Sequence, residues 1–384
     1  MSRLRIFVCS ANISALYQSV YAHSTFQTGD RDLLVIDALA LKPSQQAAIK
    51  QAAQLHSEFQ LYDFSSTKVE GASAVPSTRK QWTRRLKTRP GFKQVYDFLH
   101  QFKLAAEDKE AQQRLTSAIP ELTQSWDEVQ VFRQPVLHLN RPLEALLPQA
   151  VIHHIEHGLG DYLDILKGEK SAYPFLCLFA DAFGPFLEKQ GKNPAFIQSY
   201  VSPEAFRMAA KRFPEIYSQV GAAAQLVTGK AALLCLQSLE EFLVDEAFWP
   251  HFFDRCLEKI TAPEQVQFLI KPHPRQSPAV LTRIQQYFDQ KGLAATFLDS
   301  PEFQSLSIEV LFQAWAGKVK YVFSPFSSSV FYLSYLYPDA DITYGYSLRS
   351  LEGFTQRTPQ LYLDRWAEVA PALKEVFGQR VEEV

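Results

Sequence analysis

The sequence predicts an α/β protein with two Rossmann-like, doubly wound domains that face a central cleft. Three observations lead to this fold class. The chain has 384 residues, which is more than one hydrophobic core needs. Apolar runs of strand length alternate with apolar residues at helical spacing, as they do in parallel α/β sheets. In the second half the strand runs are almost continuously apolar, which is typical of strands covered on both faces.

The first half opens with a strand–helix–strand unit. Apolar runs at residues 4–9 and 33–37 predict strands, and the apolar spacing of residues 12–23 predicts a helix between them. The other elements predicted here are helices at 43–59 and 92–118, strands at 60–64 and 129–133, and short helices within 174–216 with a cap at Ser202, Pro203 and Glu204.

A polar and strongly basic segment, residues 65–90, interrupts this pattern. It contains Lys68, Arg79, Lys80, Arg84, Arg85, Lys87 and Arg89. One interpretation is a solvated loop and helix face. The other is a positive rim for an anionic acceptor or a membrane surface.

Small residues at 221–230 mark the predicted crossing between domains of residues 1–225 and 226–384. Beyond the crossing, strand and helix alternate throughout, which predicts a second doubly wound parallel sheet. The predicted strands are 231–239, 266–270, 294–298 and 320–324, and the predicted helices are 240–260, 277–290, 307–316 and 327–337. A final helix, residues 363–377, is expected to pack back on the N-terminal domain. Glycosyltransferases with two such domains across a cleft have the architecture called GT-B.

Composition excludes several classes of protein. The 39 basic and 41 acidic residues give no general attraction to nucleic acid, so any anion site must be local. No stretch approaches the roughly 18 to 20 apolar residues of a membrane span, and the apolar run near the start is too brief for a secretion signal. The four cysteines have no metal-ligand spacing and are expected to be reduced, mostly core residues of a cytoplasmic protein: Cys9, Cys177, Cys235 and Cys256.

Residues 151–162, VIHHIEHGLGDY, form the first candidate site. The apolar run before His153 predicts the end of a buried strand, and Gly158 and Gly160 argue against a helix directly after it. Glu156 is therefore expected on a loop at the carboxyl edge of a sheet, where open α/β proteins bind ligands. A carboxylate at that edge is suited to accept a proton.

The same stretch also fits the His-x-x-Glu-His zinc pattern, through His153, Glu156 and His157. That chemistry requires both histidines on one continuous helix. The strand-like run before the motif and the glycines after it leave no room for one. We therefore favour a loop carboxylate over a zinc hydrolase.

The second candidate is the segment FLIKPHPR, in which a strand is expected to end at Lys271. Pro272 and Pro274 hold His273 in a stiff, extended turn at the carboxyl edge of the sheet. From there the imidazole can donate a hydrogen bond to a phosphate, with Lys271 and Arg275 adding positive charge. The alternative is a rigid surface turn.

The third candidate is SPFSSSVFYL, where Pro325 ends a strand and the next helix begins. Free backbone amides, the positive end of the helix dipole and short hydroxyls suit a phosphate, and they come together at Ser327, Ser328 and Ser329. The alternative is helix capping, which needs only one serine. Glu309 is a candidate acceptor from ribose hydroxyls, the alternative being an exposed helical glutamate.

At these residues the chain resembles the bacterial sialyltransferases and polysialyltransferases of GT-B fold, which use CMP-sialic acid. Their signature is an acidic pair followed by glycine, then a His-Pro motif, then a serine-rich motif. IEHGLGDY, KPHP and SPFSSS stand here in that order, with SIEVLF between the last two. The resemblance covers about residues 150–335, and the combination is more specific than any single motif.

The resemblance implies an inverting transfer of sialic acid, or a related ulosonic acid, from its CMP ester to a sugar hydroxyl of a glycan. It makes 1–225 the acceptor-binding domain and 226–384 the CMP-sugar domain, with no cofactor and no metal required. Glu156 would be the general base, and Lys271, His273, Pro274, Glu309, Ser327, Ser328 and Ser329 would bind the nucleotide, His273 also acting in catalysis. His157, Gly158 and Asp161 would face the acceptor.

One position departs from the signature, because His157 stands where the signature has its second acidic residue. Only Glu156 is therefore carried over as the base, and His157 could contact an acceptor carboxylate instead. The implied setting is synthesis of capsule, lipooligosaccharide or another surface polysaccharide in the cytoplasm, with peripheral contact at the inner membrane left open. Two alternatives remain: a transferase using CMP-KDO or a UDP-sugar, and a nucleotide-sugar-binding protein without turnover.

Overall fold

A computed structural model shows two parallel-sheet α/β domains. It describes residues 2–37, 43–64, 92–135, 137–156, 158–166, 173–237, 247–273, 275–325, 327–338, 341–347, 375–376 and 381–384. The segment 65–90, His157 and Pro274 are outside these ranges, as is most of the predicted final helix.

The N-terminal sheet has the parallel strand order β3-β2-β1-β4-β5-β6-β7. Its strands are β1 (Arg3–Cys9), β2 (Asp30–Ile36), β3 (Phe59–Asp63), β4 (Glu128–Arg133), β5 (Val151–Ile155), β6 (Phe175–Cys177) and β7 (Ile197–Ser199). The order reverses between β1 and β4, which opens a crevice at their carboxyl ends. The helices are α1 (Asn12–Thr25), α2 (Pro43–Ala53), α3 (Phe92–Ala118), α4 (Asn140–Leu146), α5 (Leu159–Leu166), α6 (Ala180–Lys189), α7 (Pro203–Ala210), α8 (Phe213–Ile216) and α9 (Ser218–Gln225).

The C-terminal sheet is also parallel, in the order β10-β9-β8-β11-β12-β13. Its strands are β8 (Ala231–Cys235), β9 (Gln267–Lys271), β10 (Ala295–Phe297), β11 (Val319–Ser324), β12 (Thr343–Tyr346) and β13 (Val381–Glu383). Here the order reverses between β8 and β11, so a second crevice forms at their carboxyl ends. The helices are α10 (Phe248–Glu258), α11 (Pro278–Gln290), α12 (Pro301–Ser305), α13 (Ile308–Phe312) and α14 (Ser328–Leu336).

The two domains share a core. One cluster of buried apolar side chains includes Phe7 of β1 and Val322 of β11, so it extends from the first sheet to the second. Polar contacts also join the domains: the Asn12 side-chain amide donates to the carbonyl of Ser305 at 2.5 Å. The indole of Trp315 donates to the carbonyl of Ala223 at 2.7 Å. The carboxyl edges of both sheets are thereby held against one cleft.

Gly345 of β12 lies where no side chain fits. A Cβ atom built there would be 2.6 Å from the ring of Phe323 on β11 and 2.7 Å from Val384. The glycine is required by this close approach rather than by its backbone angles.

The structure confirms most predicted elements and the buried, free state of all four cysteines. The Ser202 cap is also confirmed, since its side chain accepts from the Ala205 amide at 3.1 Å. Two predictions were incomplete: α2 ends at Ala53, and β6, β7, β12 and β13 were not foreseen. Of the helix predicted at 240–260, residues 248–258 form α10, and residues 240–246 lie outside the described residues. Among the described residues, no helix is long and apolar enough to cross a membrane.

The prediction that Gly158 and Gly160 prevent a helix was wrong, because α5 begins at Leu159. Gly160 lies in the first turn, where backbone N–H groups have no intrahelical partner in any case. Asp161 in the same turn interacts favourably with the helix dipole. Burial of Tyr162 and Ile165 on the inner face offsets the roughly 1 kcal/mol that a helical glycine costs.

Of the predicted final helix, only Glu375 and Val376 are described. Glu375 Oε1 accepts from Lys189 Nζ of α6 at 2.5 Å, so this end of the segment touches the N-terminal domain. The domain limits at 225 and 226, and the packing of the rest of that helix, stay predictions.

Candidate active site

A cleft between the domains collects seven of the residues selected from the sequence. They are Glu156, Lys271, His273, Glu309, Ser327, Ser328 and Ser329. The first comes from the N-terminal sheet edge and the others from the edge of the C-terminal sheet. The topological reversals of the two sheets therefore face the same space.

Glu156 directly follows β5, where its backbone amide donates to the carbonyl of Leu176 at 3.0 Å. Its side chain is only 3% exposed, and burial raises the pKa of the carboxyl group to about 8. Oε2 accepts a hydrogen bond from the Tyr162 hydroxyl, whereas the buried Oε1 has no hydrogen-bond partner. One oxygen is thus held by the protein, and the other makes no hydrogen bond of normal geometry within it.

Tyr162 fixes the orientation of this carboxyl group. It lies on the inner face of α5, and its ring is buried edge-on against Phe183 at 4.8 Å between centroids. Its hydroxyl also accepts from the backbone amide of Phe179 at 3.4 Å. The hydrogen bond to Glu156 lowers the pKa of the carboxyl group, against the larger effect of burial.

On the opposite wall, His273 follows β9. Its Nδ1 accepts from the Arg275 amide at 3.2 Å, so the neutral ring carries its proton on Nε2. Lys271 Nζ donates to the Phe303 carbonyl at 2.7 Å, and burial lowers the pKa of the lysine to about 8. This wall presents an N–H donor and a cation to the cleft.

The serine-rich segment begins α14 at the same wall. Ser327 is the N-cap, and its Oγ accepts from the Ser329 amide at 3.3 Å. Capping therefore accounts for Ser327, as the simpler interpretation required. The hydroxyls of the half-buried Ser328 and Ser329 stand at the positive end of this nine-residue helix and line the cleft.

Glu309 is not the exposed glutamate that the alternative interpretation described. It is 3% exposed, and burial raises the pKa of its carboxyl group to about 7. The positive charge of Lys271 lowers the pKa of this carboxyl group, against the larger effect of burial. Two buried carboxyl groups, Glu156 and Glu309, therefore line the same cleft.

Gly158 and Asp161 are not among the residues lining the cleft. Asp161 is close enough to Glu156 for its charge to raise the pKa of that carboxyl group. His157 and Pro274 lie outside the described residues, so their roles stay predictions, as do those of Gly158 and Asp161. His153 lies on β5 and stacks on Phe132 at 4.7 Å, which contradicts the helix that the zinc alternative needs.

The cleft residues that were missed in the sequence include Tyr17 of α1 and Tyr332 of α14. Their spacing is that of ordinary helix core residues, so nothing in the pattern separates them from their apolar neighbours. A weak signal existed for Tyr332, which lies one helical turn after Ser329. Likewise, Tyr17 lies in the helix that follows β1, close to a carboxyl edge.

The model of the alpha-2,8-polysialyltransferase family matches residues 50–346. The chain belongs to this family. The match includes strands of both sheets and all three motifs of the cleft, and no curated protein matches the chain. The polysialyltransferase family makes the protein a sialyl-transferring glycosyltransferase, with a nucleotide-sugar donor and a glycan acceptor.

Solved structures with similar folds include S. aureus MnaA with UDP, at TM-score 0.50 and 11% identity over 99% of this chain and 91% of that chain. The Methanocaldococcus jannaschii UDP-GlcNAc 2-epimerase has TM-score 0.50 and 12% identity over 100% of this chain and 88% of that one. A sialyltransferase from Photobacterium damsela has TM-score 0.49 and 10% identity over 100% and 81%. At such identities likeness shows only the fold, and the first two confirm the predicted GT-B arrangement.

Proposed function

We propose that this polysialyltransferase-family protein transfers sialic acid from its CMP ester to a sugar hydroxyl with inversion. The observation that carries the proposal is the pairing of groups across the cleft. A buried carboxyl group with one unpartnered oxygen, Glu156, faces a wall with an imidazole N–H and a helix N-terminus suited to phosphate. An acceptor hydroxyl and a leaving phosphate can then lie on opposite sides of the transferred sugar.

Glu156 is the general base of this proposal. As the acceptor oxygen bonds to the anomeric carbon, its proton passes to Oε1, while the bond from that carbon to the phosphate oxygen breaks. A pKa near 8 gives the carboxylate enough basicity to take this proton. It also means that the free enzyme gains activity as the pH rises toward that value.

The leaving CMP develops negative charge on its phosphate. His273 Nε2–H and the hydroxyls of Ser328 and Ser329, at the positive end of α14, supply donors for this charge. Lys271 adds a cation on the same wall, and Glu309 is the proposed acceptor from ribose hydroxyls. In this scheme no step requires a metal, as the sequence resemblance implied.

The first experiment is a comparison of nucleotides. Saturation with CMP at 100 times its dissociation constant should stabilise the protein by about 2.7 kcal/mol, whereas UDP should not protect it against heat. Incubation with CMP-sialic acid and a panel of glycans should then give products heavier by one or more sialyl units in mass spectrometry.

Three outcomes distinguish the alternatives. Protection by UDP in place of CMP would point to a UDP-sugar donor. Transfer from CMP-KDO but not from CMP-sialic acid would identify the other ulosonic acid. Binding of CMP without turnover of any donor would leave a nucleotide-sugar-binding protein and overturn the enzymatic proposal.

A further inference from the structure

Two tyrosine hydroxyls in the cleft have no hydrogen-bond partner. Tyr17 is 3% exposed and Tyr332 is 4% exposed, yet both hydroxyl oxygens are buried and unpaired. A buried hydroxyl without a partner costs about 1–3 kcal/mol, which a phenylalanine at the same position would avoid. Both side chains line the cleft, so a ligand there can supply the missing partner.

The two tyrosines come from different domains and contact each other in the lining of the cleft. Tyr17 belongs to α1 and Tyr332 to α14, and their rings lie edge-on with centroids 6.1 Å apart. Both phenols lie within electrostatic reach of Glu156 and of Glu309. They are therefore near both the proposed base and the proposed ribose contact.

In the proposed reaction, the part of the donor that lies between the base and the nucleotide is the transferred sugar. A sialic acid carries a carboxylate on its anomeric carbon, next to the bond that breaks. A carboxylate only accepts hydrogen bonds, and a phenol hydroxyl is a donor that stays neutral. Burial raises the pKa of both phenols well above the usual value, so they remain donors throughout the working pH range.

We propose that Tyr17 and Tyr332 together bind the carboxylate of the transferred sugar, with one phenol donated by each domain. This inference rests on the proposed function, since it requires a sialyl donor in the cleft. It assigns to the pair a selection for carboxylate-bearing sugars, which the nucleotide wall cannot make. It also gives a partner to two hydroxyls that make no hydrogen bond of normal geometry within the protein.

A competing explanation is that each phenol supports a neighbouring carboxyl group. Tyr332 acts to lower the pKa of Glu156, and Tyr17 acts to lower that of Glu309. Each phenol lies near enough to act on that carboxyl group as a hydrogen-bond partner, but neither contact has the geometry of a normal hydrogen bond. The two explanations differ in what a Tyr→Phe substitution does to the binding of nucleotide and sugar.

The test compares Tyr17→Phe and Tyr332→Phe with the wild type by calorimetric titration. The ligands are CMP, a non-hydrolysable CMP-sialic acid analogue, and the same analogue with its carboxylate reduced to an alcohol. Each variant should bind CMP as the wild type does and the carboxylate analogue about tenfold more weakly, as expected for one lost hydrogen bond to a charged group. The wild type should prefer the carboxylate analogue over the alcohol, and the variants should lose that preference.

Tyr200→Phe is the matched control. Tyr200 is also buried with an unpaired hydroxyl and within reach of the charge of Glu156, but it does not line the cleft. This variant should bind all three ligands like the wild type.

Equal weakening of CMP and the analogue, or no change for either, would overturn the inference. A fall in the stability of the unliganded Tyr17→Phe or Tyr332→Phe protein, with unchanged preference for the carboxylate, would assign the phenols to support of the carboxyl groups. If the wild type fails to bind CMP at all, the proposed function fails instead, so the two failures are distinct.

Discussion

Glutamine in place of Glu156 keeps the shape of the side chain and removes its titration, so it tests the buried carboxyl group through both stability and catalysis. In the folded protein the pKa of this group is raised from 4.5 to about 8. Between these values the native state binds more protons than the unfolded chain. The free energy of unfolding therefore falls as the pH rises through this window, and the stabilisation present below pH 4.5 is lost above pH 8.

The size of the effect follows from linkage. A single group changes the free energy of unfolding by at most about 1.4 kcal/mol per pH unit. For Glu156 the loss between pH 5 and pH 9 is on the order of 4 kcal/mol. Glu309 adds a loss of its own at lower pH, but that loss is present in both proteins and cancels in the comparison.

Equilibrium denaturation at pH 5, 7 and 9 measures the difference. The stability of Glu156→Gln relative to the wild type should increase steadily with pH, and the exposed Glu188→Gln should follow the wild type throughout. In parallel, wild-type kcat/KM should rise with pH through about 8, and Glu156→Gln should abolish transfer while CMP affinity stays within a few-fold. Parallel pH curves for variant and wild type, or more than about a tenth of wild-type turnover, would refute the reasoning.

Three other substitutions test separate parts of the cleft and fold. Tyr162→Phe removes the donor that lowers the pKa of Glu156, so the acid limb of the kcat/KM profile should move to higher pH; an unmoved limb would contradict this role. His273→Ala should weaken CMP binding and slow transfer together, each by about tenfold. Titration calorimetry and kinetics measure the two effects, and no change in either would mean that this segment is only a rigid surface turn. Gly345→Ala should cost about 1–3 kcal/mol in denaturation, because its Cβ would lie 2.6 Å from Phe323; unchanged stability would contradict the close contact.

The sequence predicted the parallel sheets well because their strands are continuous apolar runs separated by helical patterns. Two strands of three residues, β6 and β7, gave no such signal. β6 and β7 lie in a stretch rich in Phe and Pro, where a short strand and a loop have the same composition. The start of α5 was misjudged because local glycine propensity was weighed without the burial of Tyr162, which only the folded chain reveals.

The sequence predicted those residues of the candidate site whose type and immediate neighbours suggest a chemical role. A carboxylate after a strand, a histidine between prolines and a run of serines can be recognised in the sequence alone. Tyr17 and Tyr332 could not be found this way, because a tyrosine at a helix core spacing is usually packing. Their significance lies in hydroxyls that have no partner, a property that depends on everything around them.

The continuous packing between the two sheets determines how the molecule melts. Neither half can lose its structure without uncovering aromatic side chains of the other, because Phe179 packs on Tyr332 and Phe206 packs on Tyr337 across the domains. Heating should therefore give one cooperative heat-capacity peak, and cleavage of the chain near residue 226 should yield fragments that aggregate. By topology the polypeptide has two domains, but it is expected to fold and unfold as a single cooperative unit.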